Sequence, residues 1–541
     1  MHTNLGSDIE GITNAAIDFL AARARGGFGL IGVGVINSYM VPGDESPLEY
    51  FLNNHRHVAN YARCVSEITQ YGAVPYAQIG VCTPFGKVSR KNPPSLSRLS
   101  VDQIEEMIQS IVDCAVRAAA AGFPAVDILG VGGSAHGLFL SPVFNDRTDE
   151  WGGTAEARRL FALKTIAGIK KALGSSYPIF YRLHGSEFIK GGYSVEGAVE
   201  NAVAFAQAGV CYFNVAGGGN STEVPQLTPN VLHAAYSFLA SEVKKAVNVP
   251  VAASVRNTRP FEAEAILRDG WADMISLGRQ SLADADWPNK IAKGAYEDLR
   301  LCIGCNECLD VAAVQHKPVQ CLVNPRLGEV SEVQFLPHAS VVKKVAVIGG
   351  GVTGLQAALS CAERGHQVVL FERKSHLGGM WHQASQPVGR EELLNFLKWL
   401  VHSVQVAGVD IRTGTEATES VLAAERPDVI IVSAGSDMVA PDIPGMDSPH
   451  VMPATEALIG DVVMGDRVVV IGGGGIAVEI ASHLAMRWTL RPEVIHFLKK
   501  YQGLPPDSSL YGRRGHDVTL ITRQKRAGGS LGGASRWVLV D

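Results

Sequence analysis

The chain has 541 residues, 46% of them hydrophobic and 19% charged, with a formal net charge of −5. That balance fits two or three globular domains and excludes a disordered chain, and the negative charge argues against nucleic acid or an anionic membrane as partner. No apolar run approaches the roughly twenty residues that span a bilayer, and Met1-His2-Thr3-Asn4-Leu5-Gly6 has no signal-peptide pattern. Five of the nine cysteines (Cys64, Cys82, Cys114, Cys211 and Cys361) are scattered in apolar surroundings, which suits a reducing cytoplasm better than a disulfide framework.

Residues 1–300 alternate β-rich runs with amphipathic ones. Strands are expected at 28–36, 74–80, 125–131, 178–185, 211–218, 250–256 and 274–280. Helices are expected at 101–121, 155–173, 194–207 and 231–245, where apolar residues recur every three or four positions. Near-continuous apolar strands between helices imply a parallel sheet covered by helices. Seven such units fit an α/β fold, a (β/α)8 TIM barrel with its first strand missing. In such barrels phosphates bind after the last two strands, where Arg256 and Gly278-Arg279 fall. A glycine admits a phosphate close to the backbone and an arginine offers a bidentate fork. Surface ion pairing is the other reading of the two arginines.

Residues 301–343 are of another kind. Cys302, Cys305 and Cys308 stand three apart in one tight loop, and Cys321 follows after twelve residues. Soft thiolates so spaced suit an iron–sulfur cluster, whereas zinc ribbons pair two C-x2-C knuckles and only one compact triplet is present. The stretch after it, up to Lys343, reads as a linker.

Residues 344–541 carry two dinucleotide fingerprints. The first, in 344–460, is a strand followed by Gly349, Gly351 and Gly354, with Glu372 closing the next strand. Here a tight turn, close approach of a pyrophosphate to a helix N-terminus and a carboxylate for a ribose hydroxyl are all provided. The second, in 461–541, has Gly472, Gly474 and Ala477, but its next strand ends in Arg523 rather than an acid. A basic side chain there tilts towards a 2′-phosphate, with a plain basic loop as the alternative.

Beyond these patterns lies a resemblance. Met1-His2-Thr3, Arg25-Gly26-Gly27-Phe28-Gly29, Gln78, Phe139-Leu140-Ser141-Pro142, Asn145-Asp146-Arg147-Thr148-Asp149-Glu150-Trp151-Gly152-Gly153, Tyr181-Arg182-Leu183 and Gly278-Arg279, with the cysteine loop, resemble the old yellow enzyme superfamily. The likeness is to its multidomain branch, which includes 2,4-dienoyl-CoA reductase, enoate reductase and trimethylamine dehydrogenase. The resemblance implies FMN in the barrel (1–300), with Thr3, Gln78 and Arg182 at the flavin ring and Arg256, Gly278 and Arg279 at its phosphate. It implies a [4Fe–4S] cluster on Cys302, Cys305, Cys308 and Cys321 within 301–343. An incomplete FAD domain (344–460) and a truncated NAD(P)H domain (461–541) would follow, both Rossmann-like. Both ends of the chain read as clipped against such relatives.

The departures concern the proton donor. Where relatives carry a His pair or a Tyr, this chain has Leu129, Gly132 and Ser134, and where dienoyl-CoA reductase has a histidine it has Asn220. After Gln78 the usual His and Gly-Arg are replaced by Val81 and Thr83-Pro84. His184 and His136 are the remaining candidates for proton transfer. The resulting expectation is a cytoplasmic oxidoreductase passing electrons from NAD(P)H through FAD and the cluster to FMN and an activated C=C bond. Its small-molecule substrate would be an unsaturated acid, thioester or enone, and homo-oligomerisation stays open. An amine dehydrogenase of trimethylamine dehydrogenase type, or a catalytically impaired flavin-binding chain, are the alternatives.

Overall fold

The computed structural model describes residues 3–8, 11–38, 50–81, 95–219, 222, 224, 226–328, 337–387, 389–436, 441–459, 462, 464–486, 496–498, 500 and 515–529. Two compact units result, Met1–Leu336 and Pro337–Asp541. Among the described residues no helix is long and apolar enough to cross a membrane.

In the first unit seven parallel strands lie in chain order: Leu30–Asn37, Val74–Gly80, Val126–Gly130, Ile179–His184, Val210–Ala216, Val251–Ala253 and Met274–Ile275. An unexpected two-residue strand, Tyr50–Phe51, pairs in parallel on the outer edge of Leu30–Asn37. Two residues give no periodic signal, so the sequence pattern could not find it. The α/β barrel is the expected one. Along Ile179–His184 the side chains alternate, with Ile179, Tyr181 and Leu183 buried against helices and Phe180, Arg182 and His184 on the other, inner face. The register sets Gln78 opposite Asp127, and Leu129 and Asn214 opposite Arg182, so these share that inner face.

The covering helices form for local reasons. Val101–Ala120 starts with a reciprocal capping box between Ser100 and Gln103 and buries Ile104, Ile108, Ile111 and Ala115 along one stripe. Ala155–Leu173 is capped by Thr154 and stopped at Gly174, whose φ of 93° a side chain would resist. Each large apolar side chain that these helices bury contributes ~1.5–3 kcal/mol.

The largest departures from the expected bounds lie in the last barrel units. The helix expected over 231–245 begins only at Ser237, because Ala234 adopts φ 57° and its N–H donates to the Arg256 carbonyl at 3.3 Å. The strand expected over 250–256 stops at Ala253, before Val255 and Arg256 turn into the left-handed region. The last strand stops at Ile275, and Arg279 opens a short helix, Arg279–Ala283.

The run Asn145–Gly153 is a staple. Asn145 Nδ2 donates to the Phe139 and Trp151 carbonyls, each at 2.8 Å. Arg147 donates to the Leu96 and Leu99 carbonyls at 2.8 and 2.7 Å and pairs with Asp149. Trp151 is fully buried against Phe139, which stacks on Phe161 with centroids 4.5 Å apart.

The second unit holds a four-stranded parallel sheet in the order Asp410–Thr413, Gln367–Glu372, Lys344–Ile348, Val429–Val432. A separate parallel pair joins Arg467–Ile471 to Asp517–Ile521. Both expected fingerprints follow the first strand of their sheet.

Candidate active site

A cavity of about 260 Å³ opens at the C-terminal ends of the barrel strands, and Thr3, Gln78, Arg182, Arg256, Gly278 and Arg279 all line it. Six residues scattered over nearly 280 positions of sequence are thus brought to one cavity, Gln78 and Arg182 by the strands that carry them and the others by the segments at the cavity's rim. On its inner side Gln78 Nε2 donates to Asp127 Oδ2 at 2.6 Å, and Asn214 Nδ2 donates to Ser276 Oγ at 3.2 Å. Two buried atoms of the lining, Arg182 Nε and Asn214 Oδ1, have no hydrogen-bond partner among the described residues. A buried donor and acceptor left unmatched cost free energy unless a ligand meets them, which fits the pyrimidine edge of a flavin. Thr3 Oγ1 hydrogen-bonds Tyr50 OH at 2.6 Å on the opposite wall.

At the other end the two arginines converge. Arg256 donates to the Thr228 carbonyl, and its other terminal nitrogen lies 3.1 Å from His233 Nε2. Arg279 donates to the Leu227 carbonyl at 2.7 Å and to Asn306 Oδ1. Two guanidinium groups at one end of the cavity make a cationic site suited to an anion such as a phosphate.

Arg279 and Cys302 also border a second, smaller cavity, whose walls carry Cys305, Cys308 and Cys321. The loop is fixed to the barrel, since Cys302 N–H donates to Gln280 Oε1 at 2.9 Å. The N-terminal segment is sewn to it as well: Val319 N–H donates to the Thr3 carbonyl at 2.7 Å, and Asn4 Nδ2 to the Ala312 carbonyl at 2.6 Å. Asn306 takes φ 61°, which turns the chain between the second and third cysteines. Burial, with the Cys302 sulfur beside them, pushes the Cys305 and Cys321 thiols up to about 12 and about 11, and raises Cys308 further. Such thiols give up their protons to a metal rather than to water. Among the described residues no three donors are gathered for a single ion. A cubane meets each thiolate at a different iron, so its ligands stand wider than donors on one zinc. The donor set fits the cluster.

The two histidines fare differently. His136 is fully buried in the core, with Nε2 3.2 Å from Thr165 Oγ1 and its ring 4.8 Å from Phe161. It does not line the cavity, and burial depresses its pKa to about 3, so its candidacy as proton donor is corrected to a structural role. His184 does sit on the inner face, one pleat beyond Arg182 and beside Gly219, although it too is not among the residues that line the cavity. Burial, the Arg182 charge and a hydrogen bond to the Gly218 backbone set its pKa at about 4, so it is neutral at pH 7. Asn220 and Thr83-Pro84 lie outside the described residues. Pattern reasoning missed Asp127 and Asn214; a lone carboxylate in the apolar strand Val126–Gly130 was the signal available for the first.

In the second unit Gly349 has φ 105°, and a Cβ on it would overlap the Ser433 carbonyl; a Cβ on Gly354 would overlap that of Gly349. Open space remains in front of Gly351, the N-cap of Val352–Glu363. Glu372 accepts from Gly350 N–H at 2.7 Å and Lys374 N–H at 2.8 Å, so it holds the glycine turn itself. Each oxygen keeps a second lone pair for a ribose hydroxyl. In the other fingerprint Gly472 has φ 149°, with Ala477 packed against it, and Gly474 precedes the helix Gly475–Met486. Arg523 is exposed just after Asp517–Ile521.

The sequence profile of the NADH:flavin oxidoreductase / NADH oxidase family matches residues 1–298. The chain belongs to that family. The profile of pyridine nucleotide-disulphide oxidoreductases matches residues 343–531. A NADH oxidase of Thermoanaerobacter brockii is 36% identical over 506 residues, covering 90% of this chain and 78% of the relative. A metal reductase of Desulforamulus reducens is 34% identical over 552 residues, covering 98% and 82%. Among solved structures, a 2-naphthoyl-CoA reductase bound to 2-naphthoyl-CoA superposes with TM-score 0.87 at 25% identity, over 99% of this chain and 82% of that one. This oxidoreductase therefore carries FMN in its barrel unit and FAD with NAD(P) in its second unit.

Proposed function

We propose that this oxidoreductase uses NAD(P)H to reduce a C=C bond conjugated to a carbonyl, in an unsaturated acid, thioester or enone, in the cytoplasm. The observation that carries the reading is the one cavity lined by Gln78 and Arg182 from the strands, by Arg279, and by the cluster loop's Cys302. It is supported by the similarity to a reductase whose bound ligand is a conjugated acyl-CoA. The bound cofactors would supply the redox chemistry: hydride capture from NAD(P)H by FAD, one-electron relay by a [4Fe–4S] cluster, and hydride delivery from FMN.

The side chains do the rest. Gln78 and Thr3 would orient the flavin ring, and Arg182 would place positive charge where reduced flavin carries negative charge. Arg256 and Arg279, with Gly278, would clamp the phosphate, and Cys302, Cys305, Cys308 and Cys321 would hold the cluster. Gly349, Gly351, Gly354 and Glu372 would cradle FAD, and Gly472, Gly474, Ala477 and Arg523 the nicotinamide coenzyme. His184 is neutral at working pH and a weak acid, so it would orient substrate rather than protonate it, and solvent would supply the proton.

A second reading sends electrons to dioxygen or a metal ion, acceptors that need no positioned acid; the two relatives named above suit it. Anaerobic titration with NADPH and NADH decides. Flavin bleaching followed by stoichiometric reoxidation with an enone or enoyl thioester supports the first reading. Reoxidation only by oxygen or ferric ion supports the second, and bleaching by an amine alone would mark an amine dehydrogenase.

A further inference from the structure

Gln78 and Asp127 are direct neighbours across the strands Val74–Gly80 and Val126–Gly130, so their side chains leave the sheet together on the inner face. Both are buried, 5% and 1% exposed, and joined by the 2.6 Å hydrogen bond from Gln78 Nε2 to Asp127 Oδ2. Gln78 lines the cavity and Asp127 does not; the carboxylate stands behind the amide. Among the described residues Asp127 Oδ1 has no hydrogen-bond partner, so the second oxygen does not hold the carboxylate elsewhere.

A carboxylate only accepts hydrogen bonds, whereas a carboxamide has one donating and one accepting end. Facing Asp127, the amide must turn its NH2 inward and leave Oε1 for the cavity. We propose that Asp127 is a positioning residue that locks the polarity of the Gln78 carboxamide, so that its carbonyl oxygen receives a ring N–H of the flavin. The inference rests on the barrel holding FMN, as read above.

The groups facing Asp127 are Tyr76 from its neighbour strand, Arg182 from Ile179–His184 and Tyr212 from Val210–Ala216, with Tyr181 feeling its charge from the helix side of the sheet. Of these only Arg182 is charged at neutral pH, since burial raises the three tyrosines. Burial lifts Asp127 to about 7, opposed by the Gln78 hydrogen bond and by Arg182. Once protonated, the carboxyl becomes a donor and tolerates the flipped amide, whose NH2 then meets the flavin N–H donor to donor. The lock holds above that pH and loosens below it.

The test uses the full chain stripped of flavin, with FMN dissociation constants measured by flavin fluorescence from about pH 5.5 to about 8.5. For the parent, affinity should fall as pH drops through about 7. Asp127→Asn, whose amide can face Gln78 either way, should bind about tenfold more weakly at high pH and lose that dependence. Gln78→Ala should also lose it with Asp127 left in place, and adding Asp127→Asn to Gln78→Ala should change affinity little further. An Asp127→Asn chain with the parent's affinity and profile overturns the inference, as does a pH dependence that survives in Gln78→Ala. A parent that takes up no FMN at any pH removes the flavin reading itself, a separate and recognisable failure.

Discussion

At Val255 a β-branched residue occupies φ 76°, a conformation that costs such side chains about 1–3 kcal/mol. It lines the cavity next to Arg256, also in the left-handed region at φ 62°, so the strain is spent on turning the strand end towards the phosphate side. Val255→Gly should therefore raise stability by about 1 kcal/mol, less than the full relief because glycine adds unfolded-state entropy, as thermal or urea unfolding would show. His136 illustrates the opposite case, a buried group held neutral. Its folded pKa of about 3 lies below the ordinary value, so between about 3 and 6.5 the unfolded chain binds the extra proton and stability falls as pH drops. At pH 5 this amounts to about 2 kcal/mol, and His136→Asn should flatten that acid limb in unfolding measured at pH 5 and 7.5. An unchanged limb would show that His136 is not buried in its neutral form.

Among the elements, the cysteine loop and the staple at Asn145–Gly153 are easily confused from sequence, because both consist of densely patterned residues. Geometry separates them. The staple's polar groups are turned on backbone carbonyls and on each other, so its residues hold the barrel's covering helices in place and line neither of the two cavities described above. The loop's four sulfurs instead face a common space. Cys308→Ser should abolish iron and acid-labile sulfide together while FMN binding to the barrel survives, measured by metal analysis and flavin release. Loss of flavin with the iron would mean that the loop is part of the barrel's fold rather than an attachment to it. Arg147→Ala, by contrast, should cost about 2–3 kcal/mol, since it strands two buried carbonyls, with no change in iron content.

For the molecule as a whole, two units with different core architectures carry the two family matches, the barrel unit the flavin oxidoreductase profile and the second unit the pyridine nucleotide one. Arg523 sits where an acid would select NADH, so Arg523→Asp should shift the NADPH-to-NADH preference by roughly tenfold or more in flavin-reduction kinetics. An unaltered ratio would leave Arg523 as a surface residue. The barrel, the cysteine quartet and both glycine fingerprints were legible in the chain because each depends on local pattern: alternation, spacing, or a turn that only glycine allows. The roles of His136 and Glu372 were not, since a histidine in an apolar helix and a carboxylate at a strand end read alike whether they face a ligand or the fold itself. Nor was Asp127, whose meaning lies in the residue across the sheet. The sequence by itself determined which elements form and which cofactor chemistries the chain can serve. Only the tertiary structure decided which polar groups meet, because strand register and burial, set by contacts far apart in the chain, choose each side chain's partner and its charge.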